Sequence, residues 1–348
     1  MIGDIVGDFA GRLLGWYDRA ARVLPWRIAP NSGGEPDPYR IWLAEVMLQQ
    51  TTVAAVAGYF ARFTERWPTV ADLAAADDAD VMAAWAGLGY YARARNLLAC
   101  ARAVVRDHGG RFPDSEAGLR ALPGIGDYTA ASVAAIAFGR GAVVVDANIE
   151  RVIARHRLIE TPLPMAKREI RAALAPLVSS DRPGDFAQAL MDLGATICTV
   201  RGPACAICPV MADCRARGRP DIERLPVKPP KKAKPHRHGL AHWIEERGRV
   251  WLVRRPDKGM LGGMRALPGG EWTDERPPES GWAESGIVSV DHGFTHFDLT
   301  LRLARREAPP EVSGAAAEGE WWPISDLDAA GLPTLYRKLV DKMLERDA

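Results

Sequence analysis

Residues 122–132 read LPGIGDYTAAS. Gly124 and Gly126 permit a tight turn after Leu122 and Pro123, and the Ala-rich run that follows continues as a helix. A turn of this kind aims backbone N–H groups outward at the start of a helix, where the helix dipole favours an anion. It can hold a phosphate without reading any base. Gly-rich turns before helices are common, and the plain alternative is such a turn without a ligand.

The surroundings extend the helical pattern in both directions. Segments 40–63, 78–107, 127–138, 147–158 and 166–178 are rich in Ala, Leu and Val with helical periodicity and charged outer faces. The first twenty residues, MIGDIVGDFAGRLLGWYDRA, read as an amphipathic helix carrying acids. Strand-like alternation is scarce before about residue 217. The stretch 225–235, LPVKPPKKAKP, forms neither helix nor sheet, because its prolines remove donors and fix the backbone. Beyond it, His242–Ile244, Val250–Arg254 and Leu299–Arg305 look like short strands, and 333–345 like a terminal helix. The expected organisation is a multidomain chain: an all-α domain over 1–217, a basic proline-rich linker over 218–236, and a smaller α/β domain over 237–348.

The chain has 348 residues, 47% hydrophobic and 26% charged, as in ordinary globular proteins. No apolar run reaches the roughly 18 residues needed for a membrane span. The N-terminus lacks a basic region followed by an apolar core, so the expected location is the cytoplasm, with thiols reduced. A net charge of +1 hides a local excess of base: between Arg224 and Arg237 stand six Lys or Arg and no acid. This is a solvated tether that also suits phosphates.

Cys198, Cys205, Cys208 and Cys214 are spaced C-x6-C-x2-C-x5-C, close enough to surround one metal centre. Four thiolates suit zinc or an iron–sulfur cluster, and spacing does not choose between them. Cys100, alone in an Ala-rich helix, reads as a small core residue.

Two carboxylates stand out. Glu45 lies within RIWLAEVMLQQTT (40–52) among apolar neighbours, with Gln49 and Thr52 expected on the same helical face. Burial there raises a carboxyl pKa toward the range of a general acid; the plain alternative is an exposed Glu on a polar stripe. Asp146 ends the apolar run VVV and starts a helix, an N-cap position whose ordinary role is capping. If the two face one another, they form a carboxylate pair of the kind that cleaves glycosidic bonds.

An ordered set of motifs now carries a resemblance: LPWR (24–27), WLAEVMLQQT (42–51), GLGYYARARNL (87–97), LPGIGDYTAAS (122–132), VDANIERV (145–152), ALMDLG (189–194) and the cysteine loop. Together they resemble the helix-hairpin-helix DNA glycosylase superfamily, and within it the adenine-excising branch. The likeness is dense over about 20–217 and looser beyond.

The resemblance implies a base excision repair enzyme that flips adenine out of double-stranded DNA and hydrolyses its N-glycosidic bond, the partner base being 8-oxoguanine or guanine. It implies Glu45 as the acid protonating adenine and Asp146 as the group stabilising the oxocarbenium ion, with Tyr128 and Asn148 in support. Trp26, Arg27 and Gln188 match an adenine pocket. Gln49 and Tyr90 match residues that wedge into the duplex, and Leu122, Gly124 and Gly126 match the DNA-binding hairpin. The four cysteines match a [4Fe-4S] cluster, with Arg201, Arg215, Arg217 and Arg219 on a DNA-facing loop. Relatives that are also lyases carry a lysine where this chain has Tyr128, which has no amine for a Schiff base. The implied enzyme is therefore a monofunctional glycosylase, acting as a monomer.

The last domain resembles a Nudix-like domain. LPGGE (267–271) matches the start of a Nudix box, but 272–287 lacks the Arg-Glu and paired-Glu run that holds magnesium, so recognition is the expected role. HGFTHFDL (292–299) aligns with a loop that senses 8-oxoguanine, through Phe294, Thr295 and His296. Thr295 stands where relatives commonly have serine. NSGGEP (31–36) is an insertion without an assigned role. Two rivals remain at this stage: an endonuclease III-type glycosylase for oxidised pyrimidines, and a non-catalytic iron–sulfur DNA-binding protein.

Overall fold

A computed structural model describes residues 2–230, 233–256, 259–276, 288–306 and 319–347. Its contacts divide the chain into two compact units, one of residues 1–76 and 96–230 and the other of 77–95 and 231–348. The helices in chain order are α1 (Ile2–Ala20), α2 (Pro38–Leu48), α3 (Val53–Arg66), α4 (Val70–Ala75), α5 (Asp78–Trp85) and α6 (Ala92–His108). They continue as α7 (Glu116–Arg120), α8 (Asp127–Phe138), α9 (Ala147–Arg157), α10 (Ala166–Leu174), α11 (Pro183–Thr196) and α12 (Thr334–Asp347).

Two expected long helices are each broken. Helix α2 starts at Asp37, whose side chain accepts from the Tyr39 and Arg40 amides, with Pro38 in the first turn. It ends at Leu48. Gln49 caps it, Gln50 turns left-handed at φ 58, and Thr52 caps α3 by accepting from Ala55 N at 3.3 Å. Side chains that hydrogen-bond their own backbone compete with helix continuation. Glu45, Gln49 and Thr52 therefore do not share one helical face. The segment 78–107 likewise splits into α5 and α6 around GLGY, where Tyr90 adopts φ 49.

The hairpin forms as expected. Gly124 is left-handed at φ +71, and a Cβ there would lie 2.5 Å from Asn96 Cβ. Turn geometry and close approach both demand glycine. Helix α8 buries Ala130 through Ala135 and packs against α2, α7 and α11; α11 also packs on α9. The α9–α11 approach is tight, since a Cβ on Gly194 would meet Asn148 Cβ at 2.6 Å.

In the second unit six strands form one sheet: β1 (His236–Glu246), β2 (Arg249–Arg254), β3 (Arg265–Ala266), β4 (Val288–Gly293), β5 (Asp298–Arg306) and β6 (Gly319–Pro323). The order is β3-β2-β1-β5-β4, with β6 on β2. Strands β1 and β5 run parallel, His236 opposite Asp298 through Ile244 opposite Arg306; the other pairs are antiparallel. Alternate residues such as Leu299, Leu301 and Leu303 enter a core completed by Trp243, Leu252, Tyr336, Leu339 and Met343. All three expected strands and the terminal helix are present, with β1 reaching back to His236. The LPGGE stretch lies along β1, Gly269 bridging Ala241. Residues 277–287 of the departed Nudix box lie outside the described residues.

Candidate active site and cysteine centre

A cleft of about 840 Å³ opens in the first unit. Its lining includes Trp26, Arg27, Glu45, Gln49, Gly124, Gly126, Tyr128, Asp146, Asn148 and Gln188, so sequence candidates from five separate stretches converge there. Leu122 does not line it: its side chain is buried, and its carbonyl accepts from Ile125 N at 3.2 Å to close the turn.

Glu45 is 6% exposed on α2. Ser132 Oγ donates to its Oε2 at 3.1 Å, and Tyr128 is a second hydrogen-bond partner. Burial pushes its pKa up, the bonds from Tyr128 and Ser132 pull it down, and the charge of Asp146 raises it again. Desolvation is the largest of these effects, and the net shift is upward. The Tyr128 hydroxyl is held well above its ordinary value, first by burial and then by the charges of Glu45 and Asp146.

Asp146 caps α9, as its position predicts, with Oδ1 accepting from Ile149 N at 2.7 Å. Its other oxygen, Oδ2, accepts from Asn148 Nδ2 at 3.1 Å. Burial raises its pKa, whereas the Ile149 and Asn148 bonds and the Arg151 charge favour the anion. The helix cap and the Asn148 bond therefore use different oxygens of one side chain. Asn148 in turn accepts from Arg151 Nη2 at 2.9 Å, and Arg151 Nε donates to the Cys198 carbonyl at 2.7 Å.

The rest of the cleft is equally built. Trp26 packs edge-on against Phe60, with ring centroids 5.4 Å apart. Arg27 Nη1 donates to Asp192 Oδ2 at 2.7 Å, and Arg22 Nε to Asp192 Oδ1 at 2.5 Å, Asp192 being fully buried. Gln188 and Asp192 lie one turn apart on α11. Gln49 Nε2 donates to Thr129 Oγ1 at 3.1 Å, while the next residue, Gln50, is exposed and also lines the cleft. Sequence reasoning missed Ser132, Arg151, Asp192 and Gln50. Helical spacing held the signal for two of them, since Ser132 and Asp192 fall four residues after Tyr128 and Gln188.

The four cysteines line one pocket holding about 420 Å³ of atom-free space, part of it open to solvent. Its walls are mainly apolar, with Val152, Leu193, Ile197 and Val210 among them. Arg155, 1% exposed, donates from Nη1 to Cys198 Sγ at 3.4 Å and to the Thr199 carbonyl at 2.7 Å, and from Nη2 to the Val200 carbonyl at 3.0 Å. Burial and the fields of the other three cysteines push the Cys208 thiol up to about 11. Four soft donors around one apolar-walled pocket, beside a buried cation, fit a polynuclear iron–sulfur group. Among the described residues no three His, Cys, Asp or Glu side chains converge to hold a single metal ion. Of the loop arginines, Arg219 pairs with Asp221 at 2.9 Å, and Arg201, Arg215 and Arg217 are exposed.

In the second unit Phe294–Phe297 turns between β4 and β5, with Phe294 N donating to the Phe297 carbonyl at 2.9 Å. Phe294 stacks on Trp272 at 5.5 Å, whereas Thr295 and His296 are exposed at the tip. Tyr90, 49% exposed, shares a hydrogen bond with Thr295 through their hydroxyls, 3.3 Å apart.

Residues 43–178 match the HhH-GPD superfamily of base excision DNA repair proteins, and residues 240–342 match the NUDIX domain. Fold and cleft thus define a base-excision DNA glycosylase of the helix-hairpin-helix class carrying a Nudix-like domain. The human adenine DNA glycosylase is 33% identical over 96% of this chain and 73% of its own length. That of Buchnera aphidicola is 29% identical over 96% and 97%. The chain belongs to the adenine DNA glycosylase (MutY) family. Among solved structures, a thermostable thymine-DNA glycosylase superposes with TM-score 0.54 and 30% identity, covering 62% of this chain and 97% of its own. An endonuclease III in complex with DNA shares the fold at TM-score 0.50 and 24% identity, over 60% and 92%.

Proposed function

We propose that this chain, an adenine DNA glycosylase of base excision repair, removes adenine opposite 8-oxoguanine or guanine in duplex DNA by a monofunctional hydrolysis that leaves an abasic site. The observation that carries the reading is the placement of Glu45 and Asp146 in one cleft, close enough for the charge of Asp146 to raise the pKa of Glu45. Two carboxylates that share a cleft in different surroundings divide into an acid and an anion. Glu45, protonated by burial, gives its proton to N7 of a flipped adenine, and the C1′–N9 bond breaks as the neutral purine leaves. Asp146, held by Ile149 and Asn148, faces the developing oxocarbenium ion. Water then adds to C1′ and returns a proton to Glu45.

Trp26, Arg27 and Gln188 form the base pocket in this reading, and Asp192 fixes Arg27. The exposed amide available to enter the duplex is that of Gln50, since Gln49 is bonded to Thr129. The hairpin at Gly124 and Gly126 holds a phosphate. Tyr90 and Thr295 approach the partner base together. Cys198, Cys205, Cys208 and Cys214 hold a [4Fe-4S] cluster, which braces the loop and supplies no step of the hydrolysis.

Duplexes bearing A:8-oxoG, A:G or thymine glycol, incubated with the protein and then treated with alkali, test the reading. Strand breaks at the two adenine mispairs are expected. Breaks at thymine glycol alone would overturn it, and a covalent adduct trapped by borohydride would overturn the monofunctional assignment. Iron and sulfide analysis with a visible absorption spectrum tests the cluster.

A further inference from the structure

His156 is buried, 2% exposed, in the last turn of α9, and neither ring nitrogen has a hydrogen-bond partner. Whatever its protonation state, an imidazole carries at least one N–H, and a buried donor left unpaired pays its full desolvation cost. Such groups in native folds call for a partner that is bound rather than built in. His156 also lines the cysteine pocket.

The cysteine loop folds back onto this turn. Arg215 N donates to the His156 carbonyl at 3.0 Å, and the Cys214 thiol lies 3.9 Å from the Arg155 carbonyl. Phe9 stands edge-on to the imidazole with centroids 4.8 Å apart and offers no lone pair. Other side chains of the pocket wall are aliphatic, or are arginines that only donate; the thioether of Met211 is a weak acceptor. The Asp213 carboxylate lies near enough for its charge to raise the His156 pKa, but it is paired with Arg12 and does not line the pocket. Sulfur is therefore the acceptor that the pocket's side chains offer.

We propose that His156 donates an N–H···S hydrogen bond to the four-cysteine iron–sulfur centre and tunes it, leaving the excision chemistry alone. The inference rests on the cluster reading given above. A hydrogen bond to a cluster sulfur stabilises the electron-rich, reduced form and shields the sulfur from attack. His156 is a positioning and tuning residue in this scheme, not a ligand.

The test uses the full chain purified with its iron. Iron and sulfide are assayed first; if neither is present, the cluster reading fails and this inference falls with it. With the cluster present, the protein is labelled with 15N in histidine only, so that Arg155 gives no signal. The cluster is reduced, and pulsed electron paramagnetic resonance is recorded. A 15N coupling is expected, and its absence in the iron-loaded, unmutated protein overturns the proposal. His156→Leu is expected to lose that coupling, to shift the reduction potential to a more negative value, and to release iron to a chelator several-fold faster. His156→Asn, which keeps a donor, should restore most of the potential. An iron-replete His156→Leu that retains the 15N coupling or the parent potential would also overturn it.

Discussion

Arg151 donates from Nη2 to the side-chain carbonyl of Asn148 at 2.9 Å. That bond is the middle link of a chain: the Asn148 amide reaches Asp146, and Arg151 Nε reaches the Cys198 carbonyl. The cap of α9 and the cysteine loop are thereby tied to one guanidinium. Its planar fork also spans the Gly194 carbonyl at 2.6 Å, which a lysine ammonium could not do in one geometry.

Arg151→Lys is expected to lower single-turnover excision by about ten- to a hundredfold, the size of effect seen when a group that orients a site is lost. Duplex affinity should change little. Rates measured with enzyme in excess, set beside binding of a non-cleavable duplex, check the split. An unchanged rate would remove Arg151 from the positioning of Asp146.

In the proposed mechanism Glu45→Gln removes the proton that leaves with adenine, and Asp146→Asn removes the anion beside the oxocarbenium ion. Each should bind substrate duplex and lose excision by at least about a hundredfold. Gel-shift and single-turnover assays on the same preparations decide it. Near-full turnover by either variant would end its role assignment.

The pH dependence follows from the same two groups. The proposed mechanism needs Glu45 protonated and Asp146 ionised, so the rate should be bell-shaped. Ser132 lowers the Glu45 pKa, so Ser132→Ala should move the alkaline limb to higher pH. A pH–rate profile of excision in single turnover reads the shift.

Stability carries a matching signature. The folded-state pKa of Glu45 lies above its ordinary value. Between those two values the native state keeps a proton that the unfolded chain has released, so stability falls as pH rises through the window. Glu45→Gln should flatten that fall, and melting temperatures taken from the acid to the alkaline side will show it. A parallel decline in both proteins would contradict the burial argument.

Thr295→Val keeps the shape of the side chain and removes the hydroxyl that meets Tyr90 at 3.3 Å. The expected result is a smaller preference for A:8-oxoG over A:G, with A:G excision nearly unchanged. Thr295→Ser should keep the preference. Relative rates on the two duplexes measure it, and an undiminished preference in the valine variant would place 8-oxoguanine sensing elsewhere.

The sequence by itself determined what depends on near neighbours. Apolar periodicity marked the helices, prolines marked the linker, and spacing marked a four-thiol centre. Asp146 was legible as a cap because a cap is defined by the residues just after it. The tertiary structure decided which groups meet across distance. Glu45 receives Ser132 across 87 residues, and Asp192 receives Arg22 across 170, and no local pattern encodes either pairing. It also broke two helices that periodicity had joined, because Thr52 and the left-handed residues Gln50 and Tyr90 satisfy backbone and packing terms that a periodicity window does not contain. Propensity is a sum over short windows, whereas burial, and with it the raised pKa of Glu45, is a property of everything packed around the site.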